Sequence, residues 1–420
     1  MSEIAPPAFS GLRVFSSRKM AAISLLGFAG GLPLFLTSRT LQAWMTAEKV
    51  DLTTIGLFSL VGLPYSTKFL WAPFIDRYCP PFLGRRRGWM ALSQAALALA
   101  IAALAFGNPR TAVLAFACTA FGVAFMSATQ DIAIDAYRVD ILEPREMGAG
   151  TAIYVVGYRA ALLITGSAAL MLADRMTWNS VYLAMAVLML LGVGATIWAP
   201  EPPPIAKPPE TMAEAIIEPF RDFFARSKWR AIIILVFITL YRLADSMAGN
   251  MATPFLLKSG FSQTDVGAIQ GGVGLLATIV GALCGGASIS RFGINRCLWV
   301  FGVLQLASNI GYYLLALDPR YPVMVGVIIV ENFCAGLVVA GFGAFFMSLC
   351  SPRFSATQYA LMTSLMAFSR DVLVAPAGKI ASATGWPVFF LITIAAGVPA
   401  MLLLPVFAPW NASSPYGARR

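Results

Sequence analysis

The chain has 420 residues, of which 58% are hydrophobic and only 12% charged, with a mean hydropathy of +0.75 and a net charge of +10. Soluble domains carry about 25% charged residues, so this composition excludes a sizeable soluble body and points to a polytopic membrane protein. The basic surplus is accounted for by loops that face anionic headgroups, without any nucleic-acid partner.

A bilayer crossing needs about 20 apolar residues. Twelve such stretches follow in order, at 19–44, 52–75, 88–107, 111–137, 149–173, 178–199, 230–257, 264–288, 297–317, 322–350, 357–380 and 386–408. The N-terminal MSEIAPPAFSGLRVFSSRKM lacks a cleavable signal pattern and runs directly into the first span. Most Lys and Arg fall in the N-tail, in the connections after the even-numbered spans and in the C-tail. The opposite connections hold Lys49, Arg110, Arg175, Lys258 and Arg320. The asymmetry predicts a bacterial inner-membrane protein with both termini cytoplasmic.

Residues 200–229 form the one long polar connection, Pro-rich at first and amphipathic around 212–226. It divides the chain into an N-terminal six-helix half (1–199), a cytoplasmic linker (200–229), a C-terminal six-helix half (230–408) and a cytoplasmic tail (409–420). A weak internal repeat supports duplication: EPREMGAGTAIYVVGYR (143–159) resembles SPRFSATQYALMTSLMAFSR (351–370), each a Pro-Arg loop entering a helix that contains an Arg. An all-α protein of two six-helix halves resembles the major facilitator superfamily, which implies a central cavity and alternating access. The loop DRYCPPFLGRRRGW (76–89) is similar to that superfamily's signature between helices two and three. Here Asp76, Arg77, Arg85, Arg86 and Arg87 are expected to act as a conformational latch at a helix terminus across the seam.

The fourth span, TAVLAFACTAFGVAFMSATQDIAIDAY, carries Gln130, Asp131 and Asp135 in its last third. An Asp near a helix centre costs about 2.5–3.5 kcal/mol, so two of them one turn apart mark a face turned to water or substrate. With no histidine in the chain, a proton carrier has to be a carboxylate. The candidates inside spans are Asp131, Asp135, Asp245, Glu331 and Asp371, and coupling is assigned to Asp131, then Glu331, with Asp135 beside them. Buried cations at Arg39, Lys68, Arg159, Arg242 and Arg370 each need an anion, a carbonyl or water. Arg242 can be neutralised by Asp245 at i+3, which leaves Arg159, next to Tyr158, and Arg370 to meet a substrate. A peptide carboxylate suits an Arg fork. Sugar hydroxyls and acetamides suit Gln42, Gln130, Asn250, Gln270 and Asn332, and Trp44 or Tyr137 could stack on a pyranose ring.

Six scattered Cys show neither metal-type spacing nor disulfide logic, and no phosphate-cradling loop is found. Gly27, Gly30, Gly31, Gly271, Gly272 and Gly274 read as close helix packing. Neither catalysis nor a metal or cofactor is indicated, and an ion gradient is the remaining drive. A membrane-embedded enzyme acting on lipid-linked sugars, with Asp131 and Asp135 as its paired groups, is the competing class.

A specific resemblance covers essentially the whole chain. GFAGGLPLFLTSRTLQAWM (27–45), DLTTIGLFSLVGLPYSTKFLWAPFIDRY (51–78), SATQDIAIDAYRVD (127–140) and FSQTDVGAIQGGVGLLATIVGALCGG (261–286) are similar to the AmpG-type muropeptide permeases. The resemblance implies import of anhydro-muropeptides, with or without a stem peptide, from periplasm to cytoplasm for cell-wall recycling; the span carboxylates add the expectation of proton coupling, and a monomer is expected. Some family members carry further C-terminal helices, whereas this sequence runs to twelve. A siderophore permease of the same superfamily is the alternative.

Overall fold

The computed structural model describes residues 14–203 and 208–412, and the expectations for the remaining tails and linker residues lie outside it. The described residues form helices and no strands. Ten continuous helical stretches are long and apolar enough to cross a membrane. They comprise α1–α2 (Arg18–Leu36, Arg39–Ala47), α6 (Arg85–Ala105), α7 (Val113–Ile141), α8–α9 (Met147–Leu163, Ala169–Ala173) and α10 (Trp178–Trp198). After the linker come α12–α13 (Arg230–Leu240, Leu243–Lys258), α14–α15 (Gln263–Ala268, Leu275–Phe292), α16 (Ile294–Leu317), α17 (Tyr321–Leu349) and α20 (Trp386–Phe407).

The two other expected spans are helical but interrupted. The second is made of α3 (Leu52–Leu57), α4 (Leu63–Thr67) and α5 (Ala72–Arg77), joined by 3₁₀ turns at Phe58–Gly62 and Lys68–Leu70. Pro64 and Pro73 each remove a backbone donor and crowd the preceding turn, which breaks the ladder. The eleventh is α18 (Ser355–Phe368) followed by a π-helical turn at Ser369–Leu373 and α19 (Ala377–Thr384), with Pro376 at the break. Packed neighbours make such irregular backbone tolerable in a bilayer.

Small residues bring the helices together. A Cβ on Gly27 or Gly31 would collide with the backbone of Tyr154 or Tyr158, so α1 lies tightly on α8, and Gly281 and Gly336 do the same for α15 and α17. Gly271 and Gly272 differ from expectation, since nothing lies within 4 Å of a Cβ placed there. One apolar cluster gathers Trp44, Phe116, Tyr182 and neighbours from α1 to α10, and another gathers Phe255, Tyr312, Phe390 and neighbours from α13 to α20. The amphipathic stretch of the linker is α11 (Met212–Ser227). It buries Ala215, Pro219, Phe223 and Ser227 at i+4 intervals while Ile217 and Phe220 stay exposed.

Candidate functional site

At the end of the bundle richest in Lys and Arg, a buried polar network, called the lock below for the role expected of it, joins residues of the two sequence halves. Asp76, at the end of α5, is fully buried and accepts from Arg85 and Arg86 Nη2, both at 2.8 Å. The same carboxylate accepts from the backbone N–H of Ala356 (3.2 Å) and of Thr357 (2.7 Å), and from Thr357 Oγ1 (2.7 Å). It therefore caps the N-terminus of α18, where orphan donors and the helix dipole favour an anion. Arg86 Nε also binds Asp140 Oδ2 at 2.6 Å, and Ser355 Oγ donates to Asp140 Oδ1 at 2.7 Å. Two carboxylates and two guanidiniums thus balance in a buried site and tie 76–86 and 140 to 355–357.

Arg77 and Arg87 lie outside this lock. Arg77 sits over the Tyr78 ring, and Arg87 pairs with Glu201 and bonds the carbonyls of Thr196 and Ile197. The sequence does not announce Asp140, Ser355 and Thr357 as members of it. A Ser-x-Thr directly after Pro352-Arg353-Phe354 is a helix-start pattern, and it is the one local signal that points to them. α11 braces the same corner through the Arg353–Glu214 ion pair and through Gln358 Nε2, which donates to Asp222 and to the Pro219 carbonyl, both at 2.9 Å.

Away from the lock, a cavity of about 360 Å³ lies between α1, α2 and α8 on one side and α15 and α17 on the other. Arg39, Arg159, Gln270, Asn332, Thr278, Thr40 and Ser167 contribute its polar lining, and no carboxylate lines it among the described residues. A π-helical turn on each side, Ile164–Ala168 and Ile269–Gly274, widens the helices at this level. The cavity shares Ser167 and Leu170 with a second hollow that reaches Asp174 and Trp178, giving a route to the end of the bundle opposite the lock. Neither Arg39 nor Arg159 forms an ion pair within 4.0 Å among the described residues. Arg39 lies over the Phe35 ring, 5.2 Å from its centroid.

The carboxylates of α7 are treated unequally. Asp135 is ion-paired to Arg138 Nη1 at 3.0 Å and to Lys68 Nζ at 3.6 Å. Arg138 is itself held by Thr151 at 3.1 Å and by the Tyr154 ring, 4.4 Å below it. Among the described residues, buried Asp131 Oδ1 has no hydrogen-bond partner, and neither polar atom of Gln130 has one. Asp131 lies beside Gly30 and the Tyr154 hydroxyl, and Tyr158 is within electrostatic reach of both Asp131 and Arg159. In the second half, Asp245 accepts from Arg242 and from Gln305, both at 3.0 Å, as the i+3 spacing implies for the Arg. Glu331 accepts from Asn332 Nδ2 at 2.9 Å and approaches the Asp245 carboxyl. Asn332 also accepts from Thr278 Oγ1 at 3.1 Å.

Several expected ligands lie elsewhere. Trp44 is 1% exposed, packed between Phe116, Trp178 and Tyr182, so its faces are filled by protein rather than by a sugar. Tyr137 is likewise buried and donates to the Pro200 carbonyl. Gln42, Asn250 and Arg370 are exposed and do not line the cavity. The side chain of Asp371 lies outside what the structure describes.

Ten apolar helical stretches and a cavity lined by two arginines fit a multi-pass membrane transporter. The chain belongs to the major facilitator superfamily, whose model matches residues 23–370, and within it to the AmpG-type permeases. It is 47% identical over 398 residues to the anhydromuropeptide permease of Escherichia coli K12, a match covering 94% of this chain and 81% of that protein. A Haemophilus influenzae protein is 38% identical over 404 residues, covering 94% and 95% of the two chains. Two solved structures share the fold, each with a TM-score of 0.68. They are the human organic anion transporter MFSD10 (18% identical, 94% and 99% covered) and the proton:xylose symporter XylE (9% identical, 96% and 97% covered). As a member of this family of permeases, the chain is a transporter and not an enzyme.

Proposed function

We propose that this protein imports anhydro-muropeptides, with or without a stem peptide, across the bacterial inner membrane by proton-coupled alternating access. The observation that carries the reading is the cavity near 360 Å³ lined by Arg39 and Arg159 together with the amides of Gln270 and Asn332. Its size falls in the range of small-molecule sites, about 300–1,000 Å³. Guanidiniums answer the lactyl and peptide carboxylates of such a ligand, and amides answer its hydroxyl and acetamide groups. The identity to a named anhydromuropeptide permease supports the same substrate class.

In this reading residues 1–199 and 230–408 are the two rocking halves, and the basic end and both tails face the cytoplasm. The Asp76 lock then holds the cytoplasmic gate shut while the cavity is reached from the periplasm. Asp131 is the proton site, because Asp135 already has two cations whereas Asp131 Oδ1 has no hydrogen-bond partner among the described residues. Glu331, set against Asp245, is the second candidate. The protein acts as a monomer on this account.

The test is uptake of labelled N-acetylglucosaminyl-anhydro-N-acetylmuramic acid by energised inside-right vesicles, competed by unlabelled ligand or by a ferric siderophore. The expected result is chemically unaltered solute inside, displaced by the unlabelled disaccharide alone. Competition by the siderophore alone, or recovery of modified sugar, overturns the proposal.

A further inference from the structure

Lys68 is a buried cation, 8% exposed, whose four-carbon stem carries a compact point charge. Its nearest ionic partner, Asp135 Oδ2, is 3.6 Å away and outside hydrogen-bonding distance. Asp135 does not depend on it. Arg138 donates to the other Asp135 oxygen at 3.0 Å and is fixed in turn by Thr151 and the Tyr154 ring. One turn along the same face of α7 stands Asp131, unpartnered at Oδ1 and within electrostatic reach of Lys68. Lys68 is therefore loosely held beside two carboxylates, one of them satisfied without it.

Its place in the chain gives the position a mechanical consequence. Lys68 lies in the 3₁₀ turn between α4 and α5, flanked by Pro64 and Pro73, and the next helix ends in Asp76 of the lock. The segment 63–77 packs on α7 and on α18, and the Trp71 indole donates to Thr129 of α7 at 3.0 Å. The interrupted ladder makes this span the pliable connection between the α7 acids and the α18 cap.

We propose that Lys68 is the coupling residue of the transport cycle: it turns from Asp135 to Asp131 when Asp131 is ionised, and the broken second span carries that movement to the Asp76 lock. The proposal rests on Asp131 as the proton site. The groups that face the exchange are Tyr65 on the second span, Tyr154 and Tyr158 on α8, Asp135 and Arg138 on α7, and Tyr359 on α18. Lys68 and Arg138 are the cations among them, and Arg138 is committed to Asp135. A proton reaching Asp131 from one side releases Lys68 to Asp135. When that proton leaves on the other side, the restored Asp131 charge draws Lys68 back, so the lock senses the load.

Four variants in proteoliposomes test this, read by accumulation of the labelled anhydro-disaccharide under a one-unit pH gradient and by counterflow without a gradient. One proton per substrate supports about tenfold accumulation in the wild type. Lys68→Met loses accumulation but keeps counterflow, and Lys68→Arg restores accumulation. Lys68→Gln keeps a polar tip beside Asp135 and leaves the Asp135–Arg138 pair intact, so it serves where the methionine variant does not fold. It stays uncoupled because no mobile cation answers Asp131. Full accumulation by Lys68→Met or by Lys68→Gln, or loss of counterflow as well in either, overturns the proposal. Asp131→Asn with full accumulation removes the proton site itself, and with it both readings.

Discussion

Replacing Asp76 by Asn keeps the shape of the side chain and removes the charge that holds the lock. The carboxylate accepts five hydrogen bonds, two from guanidiniums and three from Ala356 and Thr357. An Asn retains one acceptor oxygen and points an amide at Arg85 or Arg86. Breaking a buried pair costs about 3–5 kcal/mol. Arg86 keeps Asp140, so the lower figure applies. The three bonds to α18 exist only while α18 is docked, so the loss falls mainly on the state closed at the basic end. A shift of roughly 3 kcal/mol changes the balance of two states by roughly 150-fold. Spin labels at the exposed positions Glu143 and Arg291, on either side of the Ser290–Arg145 hydrogen bond, read this by double electron–electron resonance. The wild type should give mainly a short distance and Asp76→Asn mainly a longer one. An unchanged distribution with only a lower melting temperature would show that the lock stabilises the fold and does not select a state.

Arg159→Gln should weaken peptide-bearing muropeptides more than the bare disaccharide in a direct binding assay, by about 1.5–3 kcal/mol or at least roughly tenfold. Equal loss for both ligands would assign the arginine to the muramyl carboxylate. Asp131→Asn should abolish gradient-driven accumulation while counterflow survives, and normal concentration of substrate would remove it from the mechanism. Gly148→Val should open the basic end, because even a Cβ there stands 2.6 Å from Ile289 Cβ, an overpacking worth about 1–3 kcal/mol. Its effect should add to that of Asp76→Asn in the resonance measurement, and no change in distances would mean that α8 and α15 do not form the gate.

Ten of the spans, and the partners of Asp76 within its own loop, were legible because they depend on local pattern. Length of apolar run marks a crossing, and Asp76 with Arg85 and Arg86 sits within one short loop. The breaks in spans two and eleven were less visible, since Pro64, Pro73 and Pro376 are tolerated in membrane helices and apolarity alone does not reveal them. Partners distant in sequence were hidden for a related reason. Nothing near Asp140 says that it meets Ser355, more than two hundred residues away, and nothing near Trp44 says that Phe116 and Tyr182 cover its faces. Arg242 and Asp245 could be paired from their spacing, whereas Lys68 and Asp135 could not. Composition tells that a buried charge needs a partner, and the fold decides which of several partners it takes.

Substrate-induced proton movement distinguishes proton-coupled import from uncoupled passage. With the purified protein in liposomes and a pH indicator in weakly buffered medium, adding N-acetylglucosaminyl-anhydro-N-acetylmuramic acid should make the outside more alkaline as protons enter with it. A protonophore should abolish accumulation of the sugar. Uptake of the disaccharide with no proton movement, and with full accumulation in the presence of the protonophore, would contradict the account.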